Sequence, residues 1–309
     1  MVLCTYNPAD DVIARVIDAI LAQDLDARSW ELLVVDNNSS PAVSSRPLLR
    51  GRDIRVEIEP RQGLSAAREF GVGRTKGEII VFVDDDNIIS SNYLSTVSTI
   101  FEDSGIGVIS GAILPEYERV PGAWFKYVEG RLAIRRPPTE GLYLTNIPLF
   151  NEYFPIGAGM AVRREVMVAY FQSIADGSAY IPGRLGSELS SSEDLDIDFF
   201  AISKGYLVGT AGSLKLLHII PAERTSSAYI SRLAIGSAKS AVEVNSKWAA
   251  RFGGDVFEWF HISRRKLRLQ CLFAACLSWN PRYKVRYHSL RTFLKVSRVA
   301  PRRGLDLAT

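Results

Sequence analysis

The chain of 309 residues has few cysteines and no long apolar run. Its three cysteines, Cys4, Cys271 and Cys276, lack the spacing to one another or to histidine that metal sites show, which indicates a reduced, cytoplasmic setting. No apolar segment reaches the roughly 18 residues that a membrane-spanning helix needs, and no signal peptide is evident. These absences predict a cytoplasmic protein without a membrane-spanning helix.

A dinucleotide-binding fingerprint is also missing, because no G-x-G-x-x-G segment occurs. The hydrophobic content of 47% is enough for a large core, in one large α/β domain or two smaller ones. Charge is unevenly distributed: residues 261–309 carry twelve Lys or Arg and one acid, a net +11, whereas the remainder has 25 bases and 33 acids, a net −8. A basic tail on an acidic body indicates an anionic partner, such as a membrane, a nucleic acid or an anionic polymer.

Strand and helix patterns alternate along the first two thirds of the chain. Strands are predicted at residues 2–5, 31–35, 54–58, 78–83, 107–114 and 157–162, and helices at 64–75, 93–101, 164–171 and 193–204, with a further helix that begins at Asn7-Pro8. This order predicts an α/β fold, a mostly parallel twisted sheet flanked by helices. The Gly/Ser-rich loop 176–192 is expected to close over ligands, and the chain after His218 is expected to be helical.

Three adjacent carboxylates, Asp84, Asp85 and Asp86, follow a buried strand directly. Ligands of open α/β sheets bind outside the carboxyl ends of the strands. Adjacent carboxylates repel one another unless a cation lies among them, and oxygen ligands suit Mg²⁺ or Mn²⁺, which can bridge protein carboxylates to a diphosphate. The alternative is a solvated acidic turn that caps the next helix.

Polar residues end the first two strands at the same predicted edge. Thr5, Tyr6 and Asn7 follow strand one, and Asp36 follows strand two. Asp36 suits the imide N–H of a uracil ring or a ribose hydroxyl, but Asp-Asn-Asn-Ser equally favours an Asx-type turn.

Five further residues are candidates for a binding or catalytic site. Arg68, in a helix that opens with small residues, can neutralise phosphate, and Gly159 indicates close approach of a ligand or of backbone. Glu193 or Asp194, at a helix start, can act as a general base or simply cap that helix. His218 follows a short apolar stretch, where a structural role is the alternative.

Taken in order, these motifs resemble those of the family 2 glycosyltransferases, inverting enzymes with the GT-A fold. The resemblance extends from residue 1 to about 240 and rests on six segments: Thr5-Tyr6-Asn7, Val34–Ser39, Gly63–Gly71, Asp84-Asp85-Asp86, Gly157–Arg163 and Glu193-Asp194. It implies a catalytic domain over residues 1–225, with a nucleotide-binding half (1–114) and an acceptor half (115–225), followed by a helical basic region, 226–309.

The resemblance also implies roles for individual residues. Thr5, Tyr6, Asn7 and Asp36 would hold the nucleoside. Arg68, Asp84, Asp85 and Gly159 would complete the nucleotide-sugar site. Asp86 would bind Mn²⁺ or Mg²⁺, with His218, which is followed by Pro221 and Arg224, beside the metal and the diphosphate. Asp194 would be the catalytic base, with Glu193 as the next candidate.

The implied activity is transfer of a sugar from a nucleotide-sugar donor to a saccharide or lipid-linked acceptor. One alternative is a sugar nucleotidyltransferase, although strand one is not followed by the basic Gly-rich loop that such enzymes use. Another is a nucleic-acid-binding protein that uses the basic tail, which the acidic cleft disfavours, so no nucleic-acid partner is expected. The apolar stripe of Leu267, Leu269, Leu272, Phe273 and Cys276, beside Arg264, Arg265, Lys266 and Arg268, predicts peripheral attachment to an anionic membrane, with packing on the catalytic domain as the alternative.

Overall fold

The computed structural model of the chain describes residues 1–181, 183 and 192–297. The strands in these ranges are β1 (Val2–Thr5), β2 (Leu33–Asp36), β3 (Arg55–Ile58), β4 (Ile79–Asp84), β5 (Asn87–Ile89), β6 (Ile106–Tyr117), β7 (Leu142–Thr145), β8 (Ala161–Arg163) and β9 (Leu207–Ile220). The α-helices are α1 (Asp10–Leu21), α2 (Leu64–Arg74), α3 (Tyr93–Ile100), α4 (Arg164–Ala175), α5 (Glu193–Ser203), α6 (Ser227–Phe252), α7 (Arg264–Cys276) and α8 (Pro281–Val296). The predicted α/β class is confirmed.

All of these strands belong to one sheet, in the order β3-β2-β1-β4-β8-β6-β9-β5, with β7 paired to β9. The half formed by β3, β2, β1 and β4 is parallel, as predicted. In this half Thr5 lies opposite Asp36, and Cys4 lies opposite Asp84. The carboxyl ends of β1, β2 and β4 therefore meet at one edge of the sheet, which brings their polar residues together.

The other half of the sheet is mixed. β8 is antiparallel to both β4 and β6, while β9 is parallel to β6 and antiparallel to β5 and β7. Pairing of β5 with β9 places Asn87 opposite His218. The sequence did not predict β5 or β7, and it indicated only a fragment of β9, because Gly209, Gly212 and the small residues between them weaken the strand pattern.

Two predicted local features are wrong. The segment from Gly157 to Met160 is not a strand, since β8 begins only at Ala161 and Gly159 has a left-handed φ of 67°. Asn7 does not cap α1, whose cap is Ala9. Asn7 has a φ of 48°, and its side-chain oxygen accepts the N–H of Ser40 at 2.8 Å. The Asn side chain tolerates this backbone region and closes a turn, rather than starting the helix.

Apolar side chains form a core on each face of the sheet. On one face, α1 and α3 pack with Ile13, Ile17 and Tyr93 fully buried. On the other face, α2, α4, α5 and part of α6 surround residues such as Phe199. Each fully buried Leu, Ile or Phe contributes about 1.5–3 kcal/mol of transfer free energy. The core therefore holds the strand ends in place from both sides.

The C-terminal helices pack on the helices beside the sheet through a buried polar contact. The carboxylate of Asp196, in α5, is fully buried and accepts Lys247 Nζ at 2.8 Å and Trp248 Nε1 at 2.7 Å from α6, and Tyr170 Oη at 2.9 Å from α4. α6 begins at Ser227, and the predicted division of the chain after residue 225 stays a prediction. None of the helices in the described ranges combines the length and the apolar character that crossing a bilayer requires.

Candidate active site

A cavity of about 800 Å³ opens at the carboxyl edge of the parallel strands. Nine of the predicted site residues line it: Thr5, Tyr6, Arg68, Asp84, Asp85, Asp86, Glu193, Asp194 and His218. The ends of β1 and β4 supply Thr5, Tyr6 and the three aspartates, and α2 supplies Arg68. The two acids come from the N-terminus of α5, and the histidine comes from β9. Residues from widely separated motifs are thus brought to one concave site.

The acidic triplet divides into side chains with different partners. Asp85 turns toward β1, where its Oδ2 accepts the hydroxyl of Thr5 at 2.6 Å. Burial, together with the adjacent Asp86 charge, raises the pKa of Asp85 to about 7. Asp86 accepts Arg224 Nη1 at 2.8 Å on Oδ2 and Asn87 Nδ2 at 2.8 Å on Oδ1. The triplet is therefore an organised, partly buried cluster and not a solvated turn.

His218 completes the group around Asp86. Its Nδ1 lies 3.0 Å from the carbonyl oxygen of Leu132, and its Nε2 lies 3.3 Å from Asp86 Oδ2. A contact between one ring nitrogen and a backbone carbonyl fixes the orientation of the ring, as it does in many metal-binding histidines. His218 is buried, so this position is consistent with a structural role as well as with a ligand, and both stay predictions.

The residues around Asp86 fit a divalent ion only in part. Within the described ranges no group of three or more His, Cys, Asp or Glu residues has the arrangement of a metal site. Asp86 and His218 offer one oxygen and one nitrogen ligand, so that oxygens of a diphosphate and water would complete the coordination. Arg224 already neutralises part of the Asp86 charge. The donor set suits Mn²⁺ or Mg²⁺ bound together with a substrate, and the metal stays a prediction.

Glu193 and Arg68 form a buried ion pair in the floor of the cavity. Glu193 Oε2 lies 2.9 Å from Arg68 Nη1, and the two side chains are 2% and 3% exposed. Arg68 also stacks over the ring of Phe82, at 5.2 Å from its centroid, and its Nη2 donates to Gly157 O at 3.4 Å. Burial raises the pKa of Glu193 and Arg68 opposes that rise. Because its charge is held by Arg68, Glu193 is a poorer candidate for the base than its neighbour.

Asp194 faces the cavity from the first turn of α5. Its Oδ1 accepts the N–H of Leu195 at 2.9 Å, and its Oδ2 accepts the N–H of Gly157 at 3.2 Å. Burial raises the pKa of Asp194, and these two N–H groups oppose the rise. A carboxylate with a raised pKa and a fixed orientation is suited to accept a proton at neutral pH.

Three predicted site residues do not line the cavity. Asp36 is fully buried, and its two oxygens accept the N–H groups of Ser39 and Val43, both at 2.8 Å, which is the Asx-type turn that its sequence also favours. Asn7 ties the end of β1 to Ser40, as described above.

Gly159 also lies outside the cavity lining. Its carbonyl accepts Tyr93 Oη at 2.6 Å, and a Cβ at this position would lie 2.6 Å from both Tyr93 Oη and Leu216 Cδ2. The close approach that the sequence predicted is therefore protein packing. Gly157 is the glycine in the cavity wall, where a Cβ would lie 2.7 Å from Arg68 Nη2.

Sequence reasoning missed several residues of the cavity wall. Asn37 lies beside Asp36 and holds the Gly63 loop, through its Oδ1 and the N–H of Gly63 at 2.8 Å. Arg131 and Arg135 come from the segment of weak periodicity between β6 and β7, where no motif marks them. Residues of α6, α7 and α8 form a further wall, and their sequence pattern is the same as that of ordinary helix packing. The loop predicted at 176–192 falls largely outside the described residues.

Comparison with known proteins identifies the class. Residues 1–171, more than half of the chain, match the family model for glycosyl transferase family 2. The chain therefore belongs to glycosyltransferase family 2, which confirms the predicted family and its α/β, GT-A-type fold. Membership favours the glycosyltransferase prediction over the nucleotidyltransferase and nucleic-acid-binding alternatives.

Individual relatives are distant. The succinoglycan biosynthesis protein ExoM of Rhizobium meliloti is 24% identical over 131 residues, which cover 40% of this chain and 41% of ExoM. Glycosyltransferase AglE of Haloferax volcanii is 27% identical over 118 residues, 37% of this chain and 38% of AglE. The chain thus matches about two fifths of the length of these relatives.

Similar solved structures include residues 1–349 of S. aureus TarS. That structure is 14% identical with a TM-score of 0.47, and the match covers 96% of this chain and 89% of that one. A crystal structure of TarS 1–349 in complex with UDP gives 15% identity, a TM-score of 0.46 and the same coverage.

Proposed function

We propose that the protein is an inverting glycosyltransferase that transfers a sugar from a nucleotide-sugar donor, a UDP-sugar, to a hydroxyl of a saccharide or lipid-linked acceptor in cell-surface polysaccharide biosynthesis. The observation that carries the proposal is that one cavity contains both the Asp84–Asp86 strand end and the oriented Asp194 carboxylate. Family membership supports the reaction class. Inverting transfer in a single displacement requires a group that stabilises the leaving diphosphate and a separate base that deprotonates the acceptor hydroxyl.

In the proposed reaction Asp194 accepts the proton of the acceptor hydroxyl. The acceptor oxygen then forms a bond to the anomeric carbon from the face opposite the diphosphate. The bond between the anomeric carbon and the diphosphate oxygen breaks, and the nucleoside diphosphate leaves with the electron pair. One displacement inverts the configuration, and the proton remains on Asp194 until it passes to solvent. The N–H groups of Gly157 and Leu195 hold the carboxylate in one orientation throughout.

The leaving diphosphate carries growing negative charge, which cationic groups around Asp86 are placed to stabilise. Mn²⁺ or Mg²⁺ held by Asp86 and His218 would supply electrostatic stabilisation of the leaving group. Arg224, paired with Asp86 at 2.8 Å, is a second source of positive charge at the same place. Thr5 fixes Asp85, and thereby the shape of the edge that receives the nucleotide.

The proposed site of action is the cytoplasmic face of a membrane, reached through α7. Four apolar side chains on or just after this helix are well exposed: Leu269 (61%), Leu272 (64%), Phe273 (58%) and Trp279 (80%). Arg265, Lys266 and Arg268 are exposed beside them. Leu267 and Arg264 do not belong to this face, because Leu267 is buried and Arg264 Nη2 donates to Leu294 O at 2.8 Å. An apolar strip flanked by bases is typical of helices that lie on anionic membranes, where each base adds about 1 kcal/mol.

Membrane attachment is tested by flotation with phosphatidylglycerol vesicles at low and high salt. We expect the wild type to float at low salt and to stay at the bottom at high salt, because ionic strength screens the bases. Phe273→Ser should abolish flotation, whereas Val120→Ser, at an even more exposed apolar position away from α7, should not. A wild-type protein that never floats would refute the attachment without affecting the enzymatic proposal.

The enzymatic proposal is tested by thermal shift and transfer assays with a panel of nucleotide sugars, each with and without Mn²⁺. Ligand binding to the folded state raises the melting temperature, by an amount that grows with ligand concentration over Kd. We expect UDP and one UDP-sugar to raise it, and hydrolysis or transfer of that sugar to follow. A folded protein that binds no nucleotide of the panel and releases no sugar would falsify the proposal.

A further inference from the structure

Both oxygens of the Asp86 carboxylate have protein partners at the edge of the cavity. Oδ2 lies 2.8 Å from Arg224 Nη1 and 3.3 Å from His218 Nε2, and Oδ1 accepts Asn87 Nδ2 at 2.8 Å. An ion such as Mg²⁺ lies about 2.1 Å from an oxygen that ligates it, and a second cation at the same oxygen repels it. Arg224 and a divalent ion therefore compete for Asp86.

The ion pair of Arg224 and Asp86 differs from that of Arg68 and Glu193. The side chains of Arg68 and Glu193 are 3% and 2% exposed, and Arg68 Nη2 also donates to Gly157 O. The side chains of Arg224 and Asp86 are 12% and 23% exposed, and both line the cavity. A ligand in the cavity can therefore reach Arg224 and Asp86, whereas Arg68 and Glu193 form a closed pair in its floor.

Arg224 has the chemistry to exchange a carboxylate for a phosphate. Its Nε is buried and has no hydrogen-bond partner in the described ranges, so the guanidinium retains donor capacity. The residue lies in a short 3₁₀ helix, Ala222–Thr225, between β9 and α6, and its guanidinium also lies over the ring of Tyr229, at 5.9 Å from the centroid. A guanidinium binds a phosphate group through two parallel N–H···O bonds, so a diphosphate can replace the carboxylate as its partner.

The cost of burial determines when this exchange can occur. A largely buried cation that loses its carboxylate without a replacement anion is strongly destabilising. Arg224 is therefore expected to leave Asp86 only when the diphosphate is present to receive its guanidinium.

We propose that Arg224 couples the binding of two ligands: it neutralises Asp86 until a nucleoside diphosphate binds, and its guanidinium then moves to the diphosphate, which leaves Asp86 to a divalent ion. This inference rests on the proposed function and adds to it the order of ligand binding. A divalent ion alone has to displace Arg224, whereas an ion that binds together with the diphosphate does not. Because such coupling is reciprocal, UDP should tighten Mn²⁺ binding by the same factor as Mn²⁺ tightens UDP binding.

The proposal is tested by Mn²⁺ titration, with the free ion measured by electron paramagnetic resonance. The protein is titrated with Mn²⁺ alone and again at saturating UDP, after subtraction of the Mn²⁺ that UDP binds in buffer. UDP alone is titrated in the presence of EDTA. We expect the wild type to bind Mn²⁺ at least about tenfold more tightly with UDP than without it.

Variants of Arg224 separate its charge from its packing. Arg224→Gln should bind Mn²⁺ alone at least about tenfold more tightly than the wild type, and the factor by which UDP tightens Mn²⁺ binding should fall at least about tenfold. Arg224→Met, which keeps the buried stem, gives the same test if Arg224→Gln does not fold. Arg224→Lys retains the charge and should bind Mn²⁺ alone within about threefold of the wild type. Arg232→Gln is the matched control, since exposed Arg232 lies over the same Tyr229 ring, at 5.8 Å, and it should match the wild type in both titrations.

Three results would overturn the inference. The first is an Arg224→Gln protein that binds Mn²⁺ alone no more tightly than the wild type. The second is a wild type that binds Mn²⁺ equally well with and without UDP. The third is an equal change in Arg232→Gln, which would assign the effect to the general charge of this surface. UDP binding and sugar transfer are measured on the same wild-type preparation: if both are retained, the proposed function stands without the inference, and if both are absent, the proposed function and the inference are both overturned.

Discussion

Replacement of Asp194 by Asn isolates the proposed base from the rest of the site. The amide is close in size to the carboxylate and can still accept one of the N–H groups of Gly157 and Leu195, but its NH₂ cannot accept the other. Loss of that hydrogen bond costs about 1 kcal/mol of stability. Loss of the proton acceptor is a much larger effect, because general base catalysis contributes about 10²–10⁴-fold to rate.

We therefore expect the turnover number of Asp194→Asn to fall by about 10²–10⁴-fold, which corresponds to about 3–5 kcal/mol in the activation barrier. Donor affinity should stay within about twofold, since a base acts on the acceptor in the transition state and not on the bound donor. Steady-state transfer and UDP titration on the same preparation measure the two quantities separately.

The pH profile of the wild type gives an independent measurement. Only the ionised carboxylate accepts a proton, and burial raises the pKa of Asp194 above the ordinary range for aspartate. Activity should consequently fall as pH decreases, and this loss should begin at a higher pH than for an exposed aspartate. Asp194→Asn should lack this acidic limb. A variant with near-normal turnover, or one that keeps the wild-type limb, would remove Asp194 from the mechanism and make Glu193 the next residue to change.

Three further changes test separate parts of the structure. Asp86→Ala should abolish the dependence of UDP binding on Mn²⁺ while the melting temperature stays nearly constant; unchanged metal dependence would contradict the assignment. Lys247→Met removes the cation from buried Asp196 and should destabilise the fold by about 3 kcal/mol in urea unfolding, whereas exposed Lys239→Met on the same helix should change it by less than about 0.5 kcal/mol. Burial raises the pKa of Asp198 well above its value in the unfolded chain. The free energy of unfolding should therefore decrease as pH rises from the unfolded toward the folded pKa of this carboxyl, and Asp198→Asn should make that decrease smaller. An unchanged dependence of the free energy of unfolding on pH would contradict this assignment.

The parallel half of the sheet could be predicted because its signals are local. Runs such as Ile80–Val83 are short, apolar and buried on both faces, and each ends in polar residues that the parallel arrangement collects at one edge. The mixed half could not be predicted, because β9 contains glycines and small residues and forms a strand through pairing with β6 and β7, which are distant in sequence. Tertiary pairing decided the structure of that segment.

In the candidate site, too, some features could be predicted from local sequence motifs and others depend on contacts between distant residues. Motifs predicted that Asp84, Asp85, Asp86, Asp194 and His218 would lie together, and the structure brings them to one cavity. Which aspartate is held by a backbone turn and which faces a ligand is not encoded in a motif. Both answers for Asp36 are consistent with its sequence, and only the positions of Ser39 and Val43 distinguish them.

The first turn and a half of α5 shows why the roles of neighbouring carboxylates need the structure. Four acids, Glu193, Asp194, Asp196 and Asp198, occur within six residues, and a helix directs successive positions about 100° apart. Glu193 therefore pairs with Arg68, and Asp194 lines the cavity. Asp196 accepts hydrogen bonds from three donors in α4 and α6. Asp198 is buried, its oxygens have no hydrogen-bond partner in the described ranges, and burial raises its pKa well above the ordinary value. One short acidic segment thus supplies an ion pair, a proposed base, an anchor for the C-terminal helices and a buried acid with a raised pKa, and the proposed base is the one that has to be both ionised and accessible for transfer to occur.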